Sequence, residues 1–192
     1  MTIFFTSDLH LRHKNILKFE DRPFDTIEEM EEEIISNWNN IVSPEDTVYE
    51  LGDFCFGGYD KWTEILGQLN GRKVKIKGNH DSSKIINKLY LNGYYEELYM
   101  VGHYMKVDGY ILNLSHYPLE IGNRPRIFNL HGHLHGVPTK SQYANNIDVG
   151  VDSPLNFNRS FGQPISLDEV ITYLEYISPK IELEFHKERE SR

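Results

Sequence analysis

The sequence predicts an α/β layered fold with mixed sheets, carried by one domain. Three observations point there. Strand-like runs alternate with helical periodicity through the first half of the chain, and strands dominate the second. Five apolar runs each end in a metal-capable polar cluster, which sets their carboxyl ends along one shared rim. A length of 192 residues suits one core, whereas a split would leave two small ones.

Residues Thr2–Thr6 read as a short apolar strand. Thr26 and Glu29 form a capping-box pattern, and Ile27, Met30, Ile34, Trp38 and Ile41 follow at helical spacing. Thr47–Leu51 reads as a strand, Asp60–Leu69 as a helix, Val74–Lys77 as a strand and Ser82–Leu91 as a helix. Leu98–Val107 and Tyr110–Ser115 read as two strands joined at Asp108-Gly109, a hairpin signal. Ile127–His131 and Asn146–Val151 are further strands. Ser166–Ile177 is a helix opened by a second capping box, Ser166 with Glu169. Lys180–Phe185 reads as a last edge strand, which sets the domain at 1–185. Residues 186–192 then form a charged, frayed tail.

The apolar fraction of 39% and charged fraction of 26% are those of a globular protein. No apolar run approaches the ~18–20 residues that span a membrane. The N-terminus meets a charged residue, Asp8, too early for a secretory signal, so the expected location is cytoplasmic. The single cysteine, Cys55, excludes an internal disulfide and a thiolate cluster. A net charge of -9 disfavours binding along nucleic acid and to anionic membranes. It leaves an anionic substrate open, because a bound metal reverses the local field. Nothing in the sequence bears on oligomeric state.

The five strand ends carry Asp8 and His10; Asp53; Asn79, His80 and Asp81; His116; and His131, His133 and His135. Asp8 and His10 are two apart, so in an extended chain they point the same way, as do His133 and His135. Glycine directly precedes three clusters, at Gly52, Gly78 and Gly132, where sharp turns and close backbone approach are needed. The donors are hard or borderline O and N atoms. They suit Mn, Zn or Fe(II) better than copper(I), and the histidines disfavour Ca or Mg alone.

Asp8-Leu9-His10, Gly52-Asp53, Gly78-Asn79-His80-Asp81, His116 and Gly132-His133-Leu134-His135, in that order, resemble the calcineurin-like metallophosphoesterases. The resemblance implies a β-sandwich of two mixed sheets flanked by α-helices, with a binuclear site on one edge. It assigns Asp8, His10, Asp53 and His135 to one ion. It assigns Asp53, Asn79, His116 and His133 to the other, with Asp53 bridging. It implies a hydroxide between the ions as nucleophile, His80 as proton donor or transition-state contact, and Asp81 orienting His80. The cofactors implied are two divalent ions, Mn first, with Fe, Zn, Ni or Co as alternatives. The run His10-Leu11-Arg12-His13-Lys14-Asn15-Ile16, then Arg22-Pro23-Phe24, is similar to a compact bacterial and phage subset, in which glycine is expected where Arg12 stands.

The expected activity is hydrolysis of a phosphate ester, a phosphodiester first, on a small substrate such as a nucleotide. A phosphomonoesterase or phosphoprotein phosphatase with the same site is the alternative. Two ions about 3.5–4 Å apart can clamp the attacking and leaving oxygens and bring the pKa of bound water to about 7. A non-catalytic scaffold is disfavoured because Asp53, Asn79, His80 and His135 are all present. A nuclease on long nucleic acid is disfavoured by the acidic balance. His13, Arg22, Arg124 and Arg126 are candidate substrate contacts, with solvated surface as the plain alternative. His131 is expected to pack in its strand. His103 and His186 are expected on the surface, and Glu28–Glu33 reads as a solvated helix face.

Overall fold

A computed structural model describes residues 1–137, 144–153, 155 and 158–191. The first half alternates as expected: β1 (Ile3–Thr6), α1 (Ile16–Phe19), α2 (Ile27–Ile41), β2 (Thr47–Glu50), α3 (Tyr59–Leu66), β3 (Arg72–Ile76) and α4 (Ser83–Leu91). The second half runs β4 (Glu97–Tyr99), β5 (Gly102–Val107), β6 (Tyr110–Ser115), β7 (Ile127–His131), β8 (Asn146–Asp148), β9 (Ile165–Ser166) and α5 (Leu167–Glu190). Both capping boxes form. Thr26 and Ser166 each accept from the backbone N–H three residues on, and Glu29 and Glu169 reach back.

The sheets are mixed and stack as a sandwich. One has the order β4-β3-β2-β1-β9, parallel except for β9; the other has the order β5-β6-β7-β8, with only β5 antiparallel. Neighbouring side chains on β1 point to opposite faces. Phe4 packs with the buried stripes of α2, α3 and α4, including Met30, Ile34, Trp38 and Trp62. Phe5 packs with Leu112, Phe128 and Leu130 of the second sheet and with α5. Helices α2, α3 and α4 thus cover the outer face of the first sheet. Among the described residues no helix is long and apolar enough to cross a membrane.

Two expectations need correction. Leu98–Val107 is not one strand: Met100 and Val101 interrupt it, and the chain passes there from the first sheet to the second. Lys180–Phe185 is not an edge strand, and 186–192 is not a frayed tail from its start, because α5 runs on to Glu190. Pro179 removes one helical N–H. The buried stripe Val170, Leu174, Ile177 and Ile181 nonetheless continues at helical spacing across it. Ser178 Oγ donates to the Leu174 carbonyl at 2.6 Å, the back-bonding that often accompanies a bend in a helix.

Parallel strands put their carboxyl ends on one side, and the two sheets are sewn together there. Ser7, just after β1, bridges Gly150, just after β8, and Val151 N–H donates to the Ser7 carbonyl at 3.2 Å. That seam is the rim that the five polar clusters share.

Candidate metal centre

Each cluster follows the strand expected of it. Asp8 and His10 follow β1, Asp53 follows β2, Asn79 and His80 follow β3, His116 follows β6, and His133 and His135 follow β7. The backbone couples the loops. Asp8 N–H donates to the Gly52 carbonyl and His10 N–H to the Asp53 carbonyl, both at 3.0 Å. His133 N–H donates to Asp8 Oδ2 at 2.9 Å, and His80 N–H to Asp53 Oδ1 at 2.8 Å.

The side chains converge, but not as alternate residues of extended strands. Asp8, His10, Asp53, His133 and His135 all have positive φ, at 59°, 50°, 57°, 73° and 46°. Each loop turns sharply at the candidate ligand itself, and Asp and His are among the residue types that enter this region most readily. All three motif glycines are required by shape, Gly132 because a Cβ there would lie 2.0 Å from Ser7 Oγ. Gly52 has φ 113°, outside the range of L side chains, and a Cβ on Gly78 would lie 2.1 Å from Asp53 Oδ1.

Among the described residues three groups of atoms stand within reach of a common cation: Asp8, His10 and His135; Asp8, Asp53 and His116; and, behind them, Glu20, His135 and Asp152. His10 Nε2 is 4.0 Å from Asp8 Oδ1 and 3.8 Å from Asp53 Oδ2. His135 Nε2 is 3.9 Å from Asp8 Oδ1, and His116 Nε2 is 3.4 Å from Asp53 Oδ2. Asn79 Oδ1 lies 2.7 Å from His116 Nε2, and the His133 ring centre is 5.2 Å from that of His116. Asp53 Oδ2 therefore stands between the His10 side and the His116 side.

The fit to a cation rests on atoms with nothing else to bind. Asp8 Oδ1 and His10 Nε2 are buried and have no hydrogen-bond partner. A buried, unsatisfied polar atom costs about 1–3 kcal/mol, so a facing pair of them marks a ligand position. Burial pushes the Asp8 carboxyl up to about 6, against the pull of His116 and His135. Burial drives the His10 imidazole down to about 3, so it is neutral and offers a lone pair. Burial opposes charge on Asp53 as well, but His116 and the His80 amide outweigh it and hold the carboxyl at about 2.

A sequence model described as calcineurin-like phosphoesterase matches residues 1–174. The chain belongs to the calcineurin-like phosphoesterases. It is 32% identical to an uncharacterized protein of Methanocaldococcus jannaschii, over 90% of this chain and 91% of that one. It is 26% identical to the Gene 66 protein of Mycobacterium phage L5, over 90% and 94% of the two chains. A crystal structure of a protein of unknown function from Aquifex aeolicus superposes with a TM-score of 0.68 at 28% identity, covering 90% of this chain and 98% of that one. The family indicates metal-dependent hydrolysis of phosphoesters, and the residue groups above are where this phosphoesterase could hold divalent ions.

Four of the phosphoesterase's candidate residues stand differently from expectation. The Arg22 side chain is fully buried, so it is not presented to substrate. It donates to the Asp8 and Leu9 carbonyls at 2.7 and 2.8 Å, and so props up the first loop from behind. Arg124 and Arg126 lie at the amino ends of β6 and β7, over the rings of Phe185 and Tyr110, at the far end of the strands from the rim. Asp81 does not hydrogen-bond His80; its carboxylate accepts from the backbone N–H groups of Gly78, Asp53 and Phe54. His13 does reach the centre's edge, stacked on Phe56 at 4.1 Å with its ring 5.8 Å from that of His10.

His131 is buried in β7, its Nδ1 2.8 Å from the Gly132 carbonyl oxygen, as expected of a packed strand histidine. His186 is exposed, whereas His103 is half-buried against Tyr99. Arg12 has φ 64°, a backbone that glycine adopts freely. Its guanidinium pairs with Glu31 and Glu64, which offsets the unfavourable backbone.

Sequence reasoning missed Asp152. It follows β8 as the other clusters follow their strands, and that position was the available signal. Its carboxylate lies 2.7 Å from His135 Nδ1 and takes Arg22 Nε and Nη2 at 2.9 and 2.7 Å. Burial opposes its charge, yet His135 and Arg22 hold it below the usual carboxylate range. Carboxylates behind ligand histidines set ring orientation. Phe161, from the Leu155–Gln163 stretch, closes over the Arg22 guanidinium at 5.4 Å. Asp152→Ala is expected to leave a buried cation unpaired and lower the unfolding free energy by about 3–5 kcal/mol. Denaturant melts check this, and a loss below about 1 kcal/mol would reduce the pair to a surface contact.

Proposed function

We propose that this chain hydrolyses phosphodiesters with two divalent ions, Mn foremost. Asp8, His10, Asp53 and His135 hold one; Asp53, Asn79, His116 and His133 hold the other. The observation that carries this reading is the pair of partnerless buried atoms, Asp8 Oδ1 and His10 Nε2, facing Asp53 Oδ2. When bound, such ions neutralise phosphoryl charge and activate water near neutral pH.

The chain's own residues supply the rest. Asp53 is shared between the two halves, and Asp152 holds His135. His80 is exposed beside the centre, its ring 5.6 Å from that of His10, and we assign it to protonating the leaving oxygen. A diester bears two organic groups, and a ring-bearing flank stands on each side of the centre. Beside His10 are Phe56, His13 and the 67% exposed Phe19. Beside His116 and His133 is Tyr117, 51% exposed. Such rings favour substrates with flat, apolar or aromatic substituents.

The test is a panel of chromogenic mono- and diesters with matched leaving groups, run after chelation and after return of Mn, Co or Zn. Diester turnover should vanish on chelation, return with metal and exceed monoester turnover. Chelation should also lower the melting temperature, since ions that bind only the native state stabilise it by mass action. Preferential monoester turnover would refute the diester assignment; metal uptake with no hydrolysis would make the chain a scaffold.

A further inference from the structure

Behind the rim lies a cluster of three charged side chains that the catalytic reading does not use. Lys75 on β3 is 0% exposed, Glu50 at the end of β2 is 1% exposed, and Asp81 is 3% exposed. Glu50 and Lys75 are register partners across β2 and β3. The Lys75 ammonium touches Glu50 Oε2 and lies 2.6 Å from Asp81 Oδ2. Burial alone would lower the lysine, but Asp81 and Glu50 outweigh it and raise it above its ordinary value. The ammonium also sits 5.5 Å from the Trp62 ring centre. Burial pushes the Glu50 carboxyl up to about 7, against the pull of Lys75; ionisable groups buried together are expensive to desolvate and weak evidence for stability as such.

The other bonds of both carboxylates show what the cluster does: Glu50 turns its second oxygen to an amide, and Asp81 shares Oδ2 between Lys75 and two amides. Glu50 Oε1 accepts the Gly52 N–H at 2.9 Å. Asp81 Oδ2 accepts Gly78 N–H at 2.7 Å and Asp53 N–H at 3.1 Å, and Oδ1 accepts Phe54 N–H at 3.3 Å. These four amides belong to the two loops that present Asp53 and Asn79. Their donors would otherwise be buried without partners. One cation thus sets the direction of two carboxylates, and the carboxylates set the two loops.

We infer that Lys75 is a positioning residue of the metal centre: through Glu50 and Asp81 it clamps the Gly52–Phe54 and Gly78–Asn79 backbones in the geometry that aims Asp53 and Asn79 at the ions. The inference rests on the reading of Asp53 and Asn79 as ligands. The clamp itself is a feature of the polypeptide and is testable without metal.

The experiment uses the full chain with Lys75→Met, which keeps the apolar stem over Trp62 and removes the charge. Lys75→Met combined with Glu50→Gln is the second variant, for the case that two buried carboxylates without a counter-ion prevent folding; the side-chain amide oxygen of Glu50→Gln can still accept from Gly52 N–H. Amide hydrogen exchange by NMR on metal-free protein is expected to speed up about tenfold or more at Gly52, Asp53, Phe54 and Gly78, with Phe4–Thr6 of β1 unchanged. Competition with a fluorescent chelator should show Mn binding weakened about 10–100-fold, the range for loss of residues that orient ligands. A folded variant with parental exchange at the four amides, or with parental Mn affinity, overturns the inference. A parent chain that takes up no Mn, with the four amides still responding to the substitution, would instead sink the ligand reading and leave the clamp standing.

Discussion

Asp53→Asn is expected to lose more than one equivalent of metal and nearly all hydrolysis. Asp53 Oδ2 lies 3.8 Å from His10 Nε2 and 3.4 Å from His116 Nε2, so one carboxylate faces both halves of the centre. Asparagine keeps the size, tolerates the φ of 57° and can still accept from His80 N–H, so the loop survives while the charge goes. Losing several kcal/mol of charge stabilisation in the transition state lowers the rate about 10³-fold or more, on every ester. Elemental analysis beside rate measurements makes the comparison. Full metal retention would end the bridging assignment.

His80→Ala is expected to separate substrates instead of abolishing turnover evenly. General acid catalysis contributes about 10²–10⁴-fold, and it matters most when the leaving alkoxide is basic. Nitrophenolate departs without a proton. The variant should therefore keep its metals, lose most activity on alkyl or nucleoside esters and lose much less on nitrophenyl esters. Its backbone N–H, which bonds Asp53 Oδ1, is retained in alanine. Equal losses on both ester types would make His80 a charge contact. Loss of a metal equivalent would make it a ligand. Since Asp81 is engaged with backbone amides, Asp81→Asn should perturb metal retention rather than this leaving-group ratio.

The rim was legible because a strand that ends in a candidate ligand leaves both signals in one short stretch, as in Ile3–Phe5 before Asp8 and His10. Asp152 follows its strand in the same way, but no motif marks Val151-Asp152, and its worth depends on Arg22, which meets it across the fold. Arg22 itself reads as a surface cation until it is seen beneath Phe161. Lys75 sits in Arg72-Lys73-Val74-Lys75, where nothing local separates it from Lys73; its burial and its register with Glu50 show it turned inward. The end of α5 is hidden in the sequence because Pro179 is an ordinary stop signal and Lys180–Phe185 alternates like a strand. The stripe ending at Ile181 decides for helix.

The left-handed loops bear on how this site can be lost. Five of the seven candidate ligands occupy positive φ, a conformation that costs an L residue roughly 1–2 kcal/mol. The catalytic rim is thus the part of the molecule that folding alone would choose differently. In a lineage released from the need for catalysis, glycine or asparagine at His10 or His135 would be an immediate gain in stability, not a neutral change. Decay of the activity would then begin at the histidines of the turns. Asn79 and His116, outside the left-handed region, would be the last traces to fade.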